Sequence, residues 1–411
     1  MIDKNKKQIL MIGFSVSLLN KLRVRNDINI YILEEEEIYK KNKLEKYENP
    51  FIRRVIFSKY LDSDEYISIV QQFNNEVMLD AVIPARDYAV KAASKIAELL
   101  GLEGIGAENG QILTNKCLLR NACEKYGIPH PRFKKINSLE ELNDFFNGKP
   151  LIFKPATLQA SIGISKINDK SEIEEAWKRT TNASEISTNI VSRKLKRENI
   201  VEEFIGGSEY SIETFVKNGE IIFNNITKKI TYNETFVEKG HIVPANLKKD
   251  IQTKLIKEKT NFVKKMKIQS GLLHSEWKIE NEQPFLIECA ARVPGDYIFE
   301  LIELSYGFNF IETYSKILSN DEFELNKKNK KVSSIRFFDS EPGVLKKIEG
   351  IEMLLNPEIE DWCINKQIGD TIEPVNSSWD RVGYFIVTAD DYDELEKICK
   401  NVLESVKFVV V

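Results

Sequence analysis

Histidine is scarce in this chain of 411 residues: His130, His241 and His274 are the only three, and none lies close to another. That excludes a histidine-rich zinc centre and leaves any metal to carboxylates. The five cysteines (Cys117, Cys123, Cys289, Cys363, Cys399) are odd in number and widely spaced, with no C-x-x-C, so they read as reduced thiols of a cytosolic protein. Neither sign of charge dominates, since 59 Lys+Arg face 63 Asp+Glu for a net −4, and this mild acidity lacks the footprint of a nucleic-acid binder. No apolar run approaches the roughly 18 residues of a membrane span. The short stretch Ile9–Phe14 behind the charged start lacks a small-residue cleavage site, so it reads as a strand and not a signal peptide. Two nucleotide fingerprints are absent as well. The first strand runs into Gly13-Phe14-Ser15-Val16-Ser17 instead of G-x-G-x-x-G, and no G-x-x-x-x-G-K-[ST] occurs. An NAD site and a P-loop are thereby excluded. The expected setting is cytoplasmic, with neither nucleic acid nor membrane as a partner.

What is present is the composition of a folded chain, 42% hydrophobic and 30% charged. At roughly 150 residues per domain the length predicts two or three domains. Ile9–Ile12 and Ile28–Leu33 read as strands around a helical Leu18–Leu22. The strand Ala81-Val82-Ile83 precedes a helix from Asp87 to Leu100, closed by Gly101, whose Ala89, Ala92, Ala93, Ile96 and Ala97 recur at helical spacing. Repeated β-α units predict a parallel sheet. A helix from Thr114 ends at Gly127 as C-cap, and Ser138-x-x-Glu141 forms a capping box for the next, which ends at Gly148. A strand Leu151–Lys154 follows, then a loop and a strand-rich half from about Ile200 to Arg292. The stretch from Asn326 to Lys331 reads as a linker. Beyond it lie strands at Ser334–Phe338 and Val382–Val387 and a helix near Leu395–Leu403.

Three constellations can carry chemistry. Leu272–Ile279 and Phe285–Arg292 read as a hairpin. Centring its turn on Glu282 sets Glu276 opposite Glu288, Lys278 opposite Leu286 and His274 opposite Ala290. One face then carries His274, Glu276, Lys278, Glu288 and Arg292, and a core face carries Leu273, Trp277, Ile279, Phe285, Ile287 and Cys289. Opposed carboxylates repel. A divalent cation reverses that, and oxygen ligands suit Mg²⁺ (or Mn²⁺) shared with phosphates; on the hairpin alone, a solvated polar face in another register is an equal alternative. Second, Lys116 and Lys154 accompany a loop, Ala156–Ile164, whose Ser161 and Gly163 offer hydroxyl and backbone N–H groups to phosphates. Taken alone, with lysines abundant in the chain, a plain surface loop is the favoured account of that pattern. Third, Val201–Glu213 breaks at Gly206-Gly207 and resumes as a strand turning at Asn218-Gly219, a type I′ signal. Such a break presents backbone groups to an adenine edge, and equally describes a bulge.

In their order along the chain, from roughly Asp80 to Arg292, these elements resemble the ATP-grasp superfamily. The resemblance implies a mixed α/β and α+β fold: a doubly wound pre-ATP-grasp domain (1–110), two ATP-grasp subdomains (111–200 and 201–320) and a C-terminal α+β segment (321–411). It casts Lys116 and Lys154 as nucleotide-binding lysines, Ser161 and Gly163 as the phosphate-covering loop, and Glu202, Glu203 and Ile205 as the adenine hinge. Glu209 becomes the ribose acid, Glu276 and Glu288 the metal carboxylates, and Arg292 the arginine of an E-x-N-x-R pattern whose asparagine is Ala290 here. The E-x-A-A-R variant, with Phe236–Ala245 and Pro342–Gly350, is similar to the amino-acid ligase branch, which includes dipeptide-forming enzymes of antibiotic pathways. The activity implied is ADP-forming ligation of a carboxylate to an amine through an acyl phosphate, with ATP and Mg²⁺ as cofactors. Arg292 would hold the first substrate's carboxylate or the acyl phosphate. His274 would steer substrate or developing charge, although a lone histidine is more often hydrogen-bonded structure. His241 and Lys229 fall near the substrate side by the same resemblance. Small amino acids or carboxylates are the implied substrates. A carrier-protein thiol as acceptor, or a non-catalytic ATP-binding module, are the alternatives, and homodimers are common among relatives.

Overall fold

The computed structural model describes residues 5–158, 161–184, 198–232, 235–325 and 327–411. Gln159 and Ala160 of the loop after Lys154, Asn326 of the linker and the first four residues lie outside the described residues. The early strands β1 (Lys7–Ile12), β2 (Ile28–Glu34), β3 (Ile52–Phe57) and β4 (Ala81–Pro84) pair in parallel in the order β3-β2-β1-β4. Helices α1 (Val16–Leu22), α2 (Glu36–Lys41), α3 (Tyr66–Val77) and α4 (Asp87–Leu99) accompany them. A parallel sheet is covered on both faces, and alternation along β1 shows it. Leu10 and Ile12 pack with Val70, Phe73, Ala93 and Ile96 on one side, while Ile9 and Met11 pack with Leu18 and Leu22 on the other.

Next come α5 (Ala107–Ile112) and α6 (Lys116–Tyr126). Asn115 caps α6 by accepting from the N–H groups of Cys117 and Leu118, and Gly127 closes it at φ +65°. Strands β5 (Phe133–Ile136), β6 (Leu151–Pro155), β7 (Ser165–Ile167) and β8 (Asn199–Glu203) form a small antiparallel sheet, β5-β8-β6-β7, under α7 (Leu139–Phe145) and α8 (Ile173–Asn182). The predicted capping box at α7 is only half formed. Ser138 accepts from the Glu141 N–H, but the Glu141 carboxylate takes the N–H of Asn137, one residue earlier than the pattern requires.

Then follow β9 (Ser208–Lys217), β10 (Glu220–Thr231), β11 (Glu238–Val243), α9 (Lys249–Lys265), β12 (Gly271–Glu280) and β13 (Gln283–Ala290), with α10 (Ile298–Tyr306) and α11 (Phe310–Leu318) behind them. The chain ends with β14 (Val332–Phe337), β15 (Gly343–Glu349), β16 (Ile359–Ile364), β17 (Thr371–Ile372), β18 (Gly383–Ala389), α12 (Tyr392–Ser405) and β19 (Lys407–Val410). One eight-stranded antiparallel sheet, β13-β12-β9-β10-β11-β14-β18-β16, runs through most of this half, beside a small sheet β17-β15-β19. Among the described residues no helix is long and apolar enough to cross a membrane.

The strand-rich half 200–292 also holds a helix that the sequence reading did not include, α9. Its buried stripe is Leu255, Lys259, Phe262 and Val263, so a lysine interrupts the apolar period just where the helix faces the sheet. Lys259 Nζ donates to Ser275 Oγ at 3.0 Å, and burial pushes its pKa down. Trp277 Nε1 also donates to Ser275 Oγ, so that hydroxyl keeps a partner without the lysine. Lys259→Met should therefore raise the unfolding free energy by about 1–2 kcal/mol, read as a higher urea midpoint. A lower midpoint would show that the ammonium earns more from Ser275 than burial costs it.

Candidate functional site

The four-stranded sheet β5-β8-β6-β7 and the eight-stranded sheet face each other across an open cleft of about 1070 Å³, measured out to solvent. Every nucleotide, metal or catalytic candidate named from the sequence lines it except Gly163; Lys229 lines it as well, but His241 does not. Gly163 instead holds φ +74° where a Cβ would sit 2.3 Å from the Ala183 side chain, and its carbonyl accepts from Thr180 Oγ1 at 2.8 Å. It pins the end of the loop against α8, while Ser161 reaches the cleft.

The hairpin β12–β13 delivers the two acids. Its turn is Asn281-Glu282, both with positive φ. Glu276 pairs with Glu288 and His274 with Ala290, as expected, but the register then slips: Trp277 faces Leu286, and Lys278 faces Phe285 rather than Leu286. Ile287 is the extra residue of a β-bulge and has no partner in the register. The slip exchanges the faces beyond it. Leu286 and not Phe285 enters the core, fully buried, and Ile287 turns from the expected core face to the cleft.

The charges are already paired. Lys229 on β10 sits amid three carboxylates, with Nζ 2.7 Å from Glu276, 2.8 Å from Glu209 and 3.4 Å from Glu238. Burial disfavours its charge, but the three acids outweigh that and raise its pKa well above the usual lysine range. Glu276 is held low in turn by Lys229 and His274, against the upward push of burial. His274 Nδ1 lies 2.9 Å from buried Glu213, and Nε2 lies 3.5 Å from Glu276. These acids raise its pKa in spite of burial, so it carries charge above its ordinary range. Lys116 Nζ meets Glu288 at 3.0 Å and the Leu158 carbonyl at 2.7 Å.

Glu202 does not offer its carboxylate to the cleft. It is 2% exposed, between Arg120 Nε at 2.8 Å and Lys154 Nζ at 2.8 Å. Burial pushes its carboxyl up, but the two cations prevail and bring it to about 2. Glu203 pairs at the rim with Arg132 and Lys149, leaving Phe204 and Ile205 as the hinge's apolar surface. Arg292 binds Asp87 of α4 at 2.9 Å and not Glu288. His241, opposite Lys229 in the sheet, lies 3.4 Å from Asp296, which Arg381 grips at 2.8 and 3.0 Å.

Among the described residues no three His, Cys, Asp or Glu side chains converge as a metal site. The protein's own offer is the opposed pair Glu276 and Glu288. That donor set fits Mg²⁺, which typically takes one or two carboxylates and completes its octahedron with phosphate oxygens and water. The sequence reading missed Arg120, Asp87, Glu213 and Glu238. Arg120 did carry a signal, because Lys116 and Arg120 lie four apart on the stripe of α6 that also holds Leu119 and Cys123.

Residues 147–300 match the ATP-grasp domain family, and residues 336–411 match the L-amino acid ligase C-terminal domain 2 family. An alanine–anticapsin ligase of Bacillus subtilis (strain 168) is 26% identical over 273 residues, which cover 62% of this chain and 56% of that protein. The chain thus spans a little over half the length of the curated relatives it matches. An L-amino acid ligase structure from Bacillus licheniformis superposes with a TM-score of 0.79 at 20% identity, covering 99% of both chains. A phosphoribosylglycinamide synthetase structure from Anaerococcus prevotii gives 0.70 at 19%, covering 99% of this chain and 100% of that one. At such identities the likeness is one of fold.

Proposed function

From the premise that this chain carries an ATP-grasp domain followed by an L-amino acid ligase C-terminal domain, we propose that it is an ATP-dependent carboxylate–amine ligase acting on amino acids. One observation carries the reading: Lys116, Lys154, Glu276, Glu288 and Arg292 line a single cleft between two sheets. ATP would lie there, with its base against Phe204 and Ile205, its ribose at Glu209 and its phosphates at Lys116 and Lys154. Glu276 and Glu288 would hold Mg²⁺, which when bound neutralises phosphate charge. Binding then trades internal ion pairs for ligand contacts. Lys116 leaves Glu288 for a phosphate, and Lys229 and His274 share Glu276 with the metal.

A substrate carboxylate oxygen attacks the γ-phosphorus, and the bond to the bridging oxygen breaks to release ADP. The amine of the second substrate, as its free base, then attacks the acyl carbon; phosphate leaves with the bonding pair, and the surplus amine proton passes to phosphate or solvent. Arg292, kept charged by Asp87, is placed to hold the carboxylate and then the acyl phosphate. The chain's contribution is positioning and charge neutralisation more than covalent work. The likeness to an alanine–anticapsin ligase supports amino-acid substrates and an antibiotic-pathway setting.

The test is mass spectrometry of purified protein incubated with Mg-ATP and pooled amino acids, with ADP, AMP and phosphate quantified. The expected product has the mass of two amino acids less water, formed with equimolar ADP and phosphate. AMP and pyrophosphate would overturn the acyl-phosphate route. ADP without a ligated product would move the acceptor to a carrier thiol or another amine.

A further inference from the structure

The bulge beside Glu288 leaves a carbonyl that the sheet does not use. Ile287 has no partner in the register, and β13 is the outer strand of its sheet. Buried backbone groups need partners, and here they come from the α6 segment. The Leu286 N–H donates to the Pro129 carbonyl at 2.8 Å, and Arg120 Nη2 donates to the Ile287 carbonyl at 2.6 Å. Arg120 is fully buried, and its Nε meets Glu202, whose other oxygen meets Lys154. A single guanidinium therefore joins the residue next to a metal carboxylate with the acid that holds a phosphate lysine, across the floor between the two sheets.

Resting on the ligase reading above, we propose that Arg120 is a positioning residue: it aims Glu288 through the Ile287 carbonyl and frees Lys154 for phosphate by sharing the charge of Glu202. A lysine does not reproduce it, because a single nitrogen would have to reach both acceptors, whereas the guanidinium meets each with a separate nitrogen of a planar fork. With Arg120 gone, the whole charge of Glu202 falls on Lys154 and draws it off the nucleotide. The Ile287 carbonyl is left buried and unpaired, and the bulge relaxes with Glu288 next to it. Such supporting contacts typically change metal affinity by about 10- to 100-fold.

The experiment compares wild type with Arg120→Lys in the full chain. ATP dissociation constants are measured by titration with Mg²⁺ and with EDTA, thermal unfolding is followed in parallel, and ADP release is timed. The expected result is a folded variant whose ATP binding weakens in EDTA, and in which the tightening that Mg²⁺ confers falls by a further factor of about 10. The Mg²⁺ concentration for half-maximal ADP release should rise with it. ATP affinity equal to wild type under both conditions, with only the melting temperature lowered, would reduce Arg120 to a structural role and overturn the proposal. Should Arg120→Lys fail to fold, Arg120→Met/Glu202→Met removes one buried charge of each sign and is read on the Mg²⁺-dependent tightening alone, since without Glu202 nothing draws Lys154 off the phosphate: a loss of that tightening supports the proposal, and tightening equal to wild type overturns it. Wild type that binds no ATP even with Mg²⁺ would instead bring down the ligase reading itself.

Discussion

Glu288→Gln is expected to leave the protein folded and to cut ADP formation by at least about 10²–10³-fold. Glu288 is one half of the opposed carboxylate pair that the described residues of the cleft offer a cation, and the Ala290 side chain opposite His274 supplies no further oxygen. An amide keeps the shape but lacks the charge that gathers a metal and the phosphates around it. The fold should survive, because the Glu288 side chain is 36% exposed and buried Lys116, 9% exposed, keeps the Leu158 carbonyl as a partner. The expected loss is about 1–3 kcal/mol. The measurement is a coupled ADP assay over a Mg²⁺ series beside a thermal melt. Normal turnover by the variant would remove Glu288 from the metal site and leave the hairpin as a polar face.

Lys154→Met should weaken ATP binding by about 10- to 100-fold, the worth of one lost charge-assisted hydrogen bond. It should also destabilise the fold by about 3 kcal/mol, since it breaks a buried ion pair. Both follow from one ammonium, which lies 2.8 Å from Glu202 with its side chain 5% exposed. The pH dependence separates the two effects. Glu202 is held at about 2 in the folded chain against 4.5 unperturbed. Its contribution is therefore complete above pH 4.5 and drains away as pH falls toward 2. In the variant Arg120 holds the carboxylate alone, so the folded pKa rises and stability falls less steeply over that window. Urea midpoints at several pH values would show this. An unchanged ATP affinity would take Lys154 out of the nucleotide site.

Much of this site was legible because its residues sit in regular structure whose period the sequence displays. Strand alternation put His274, Glu276 and Lys278 on one face, and a turn centred on Glu282 set Glu276 against Glu288; in the fold the turn is the two residues Asn281-Glu282, and the bulge at Ile287 restores that pairing. The slip at Ile287 was not legible, since a bulge leaves no compositional mark on an alternating run. Phe285, Leu286 and Ile287 are all apolar and read equally well in either phase. Lys259 hid α9 by placing a charge on the apolar stripe. The partners of the recognised groups come from far along the chain: Asp87 from α4 for Arg292, Asp296 for His241, Glu213 for His274. Long-range ion pairs have no spacing to read. Glu202 was read as part of the hinge because its neighbours are; only the fold shows it turned inward to Arg120.

The eight-stranded sheet has a bearing on how chimeras of this protein should be cut. The ladder that carries Glu276 and Glu288 does not stop at residue 300, where the ATP-grasp match ends, but continues through β14, β18 and β16. A crossover at residue 336, where the second match begins, falls inside β14 and separates a strand bonded to β11 on one side and β18 on the other. A junction between β4 and β5 severs no strand pair, because the first sheet is complete by Pro84 and the second begins at Phe133. Recombination there exchanges the first sheet whole and passes on the other three sheets, β5 to β19, each with its ladder uncut.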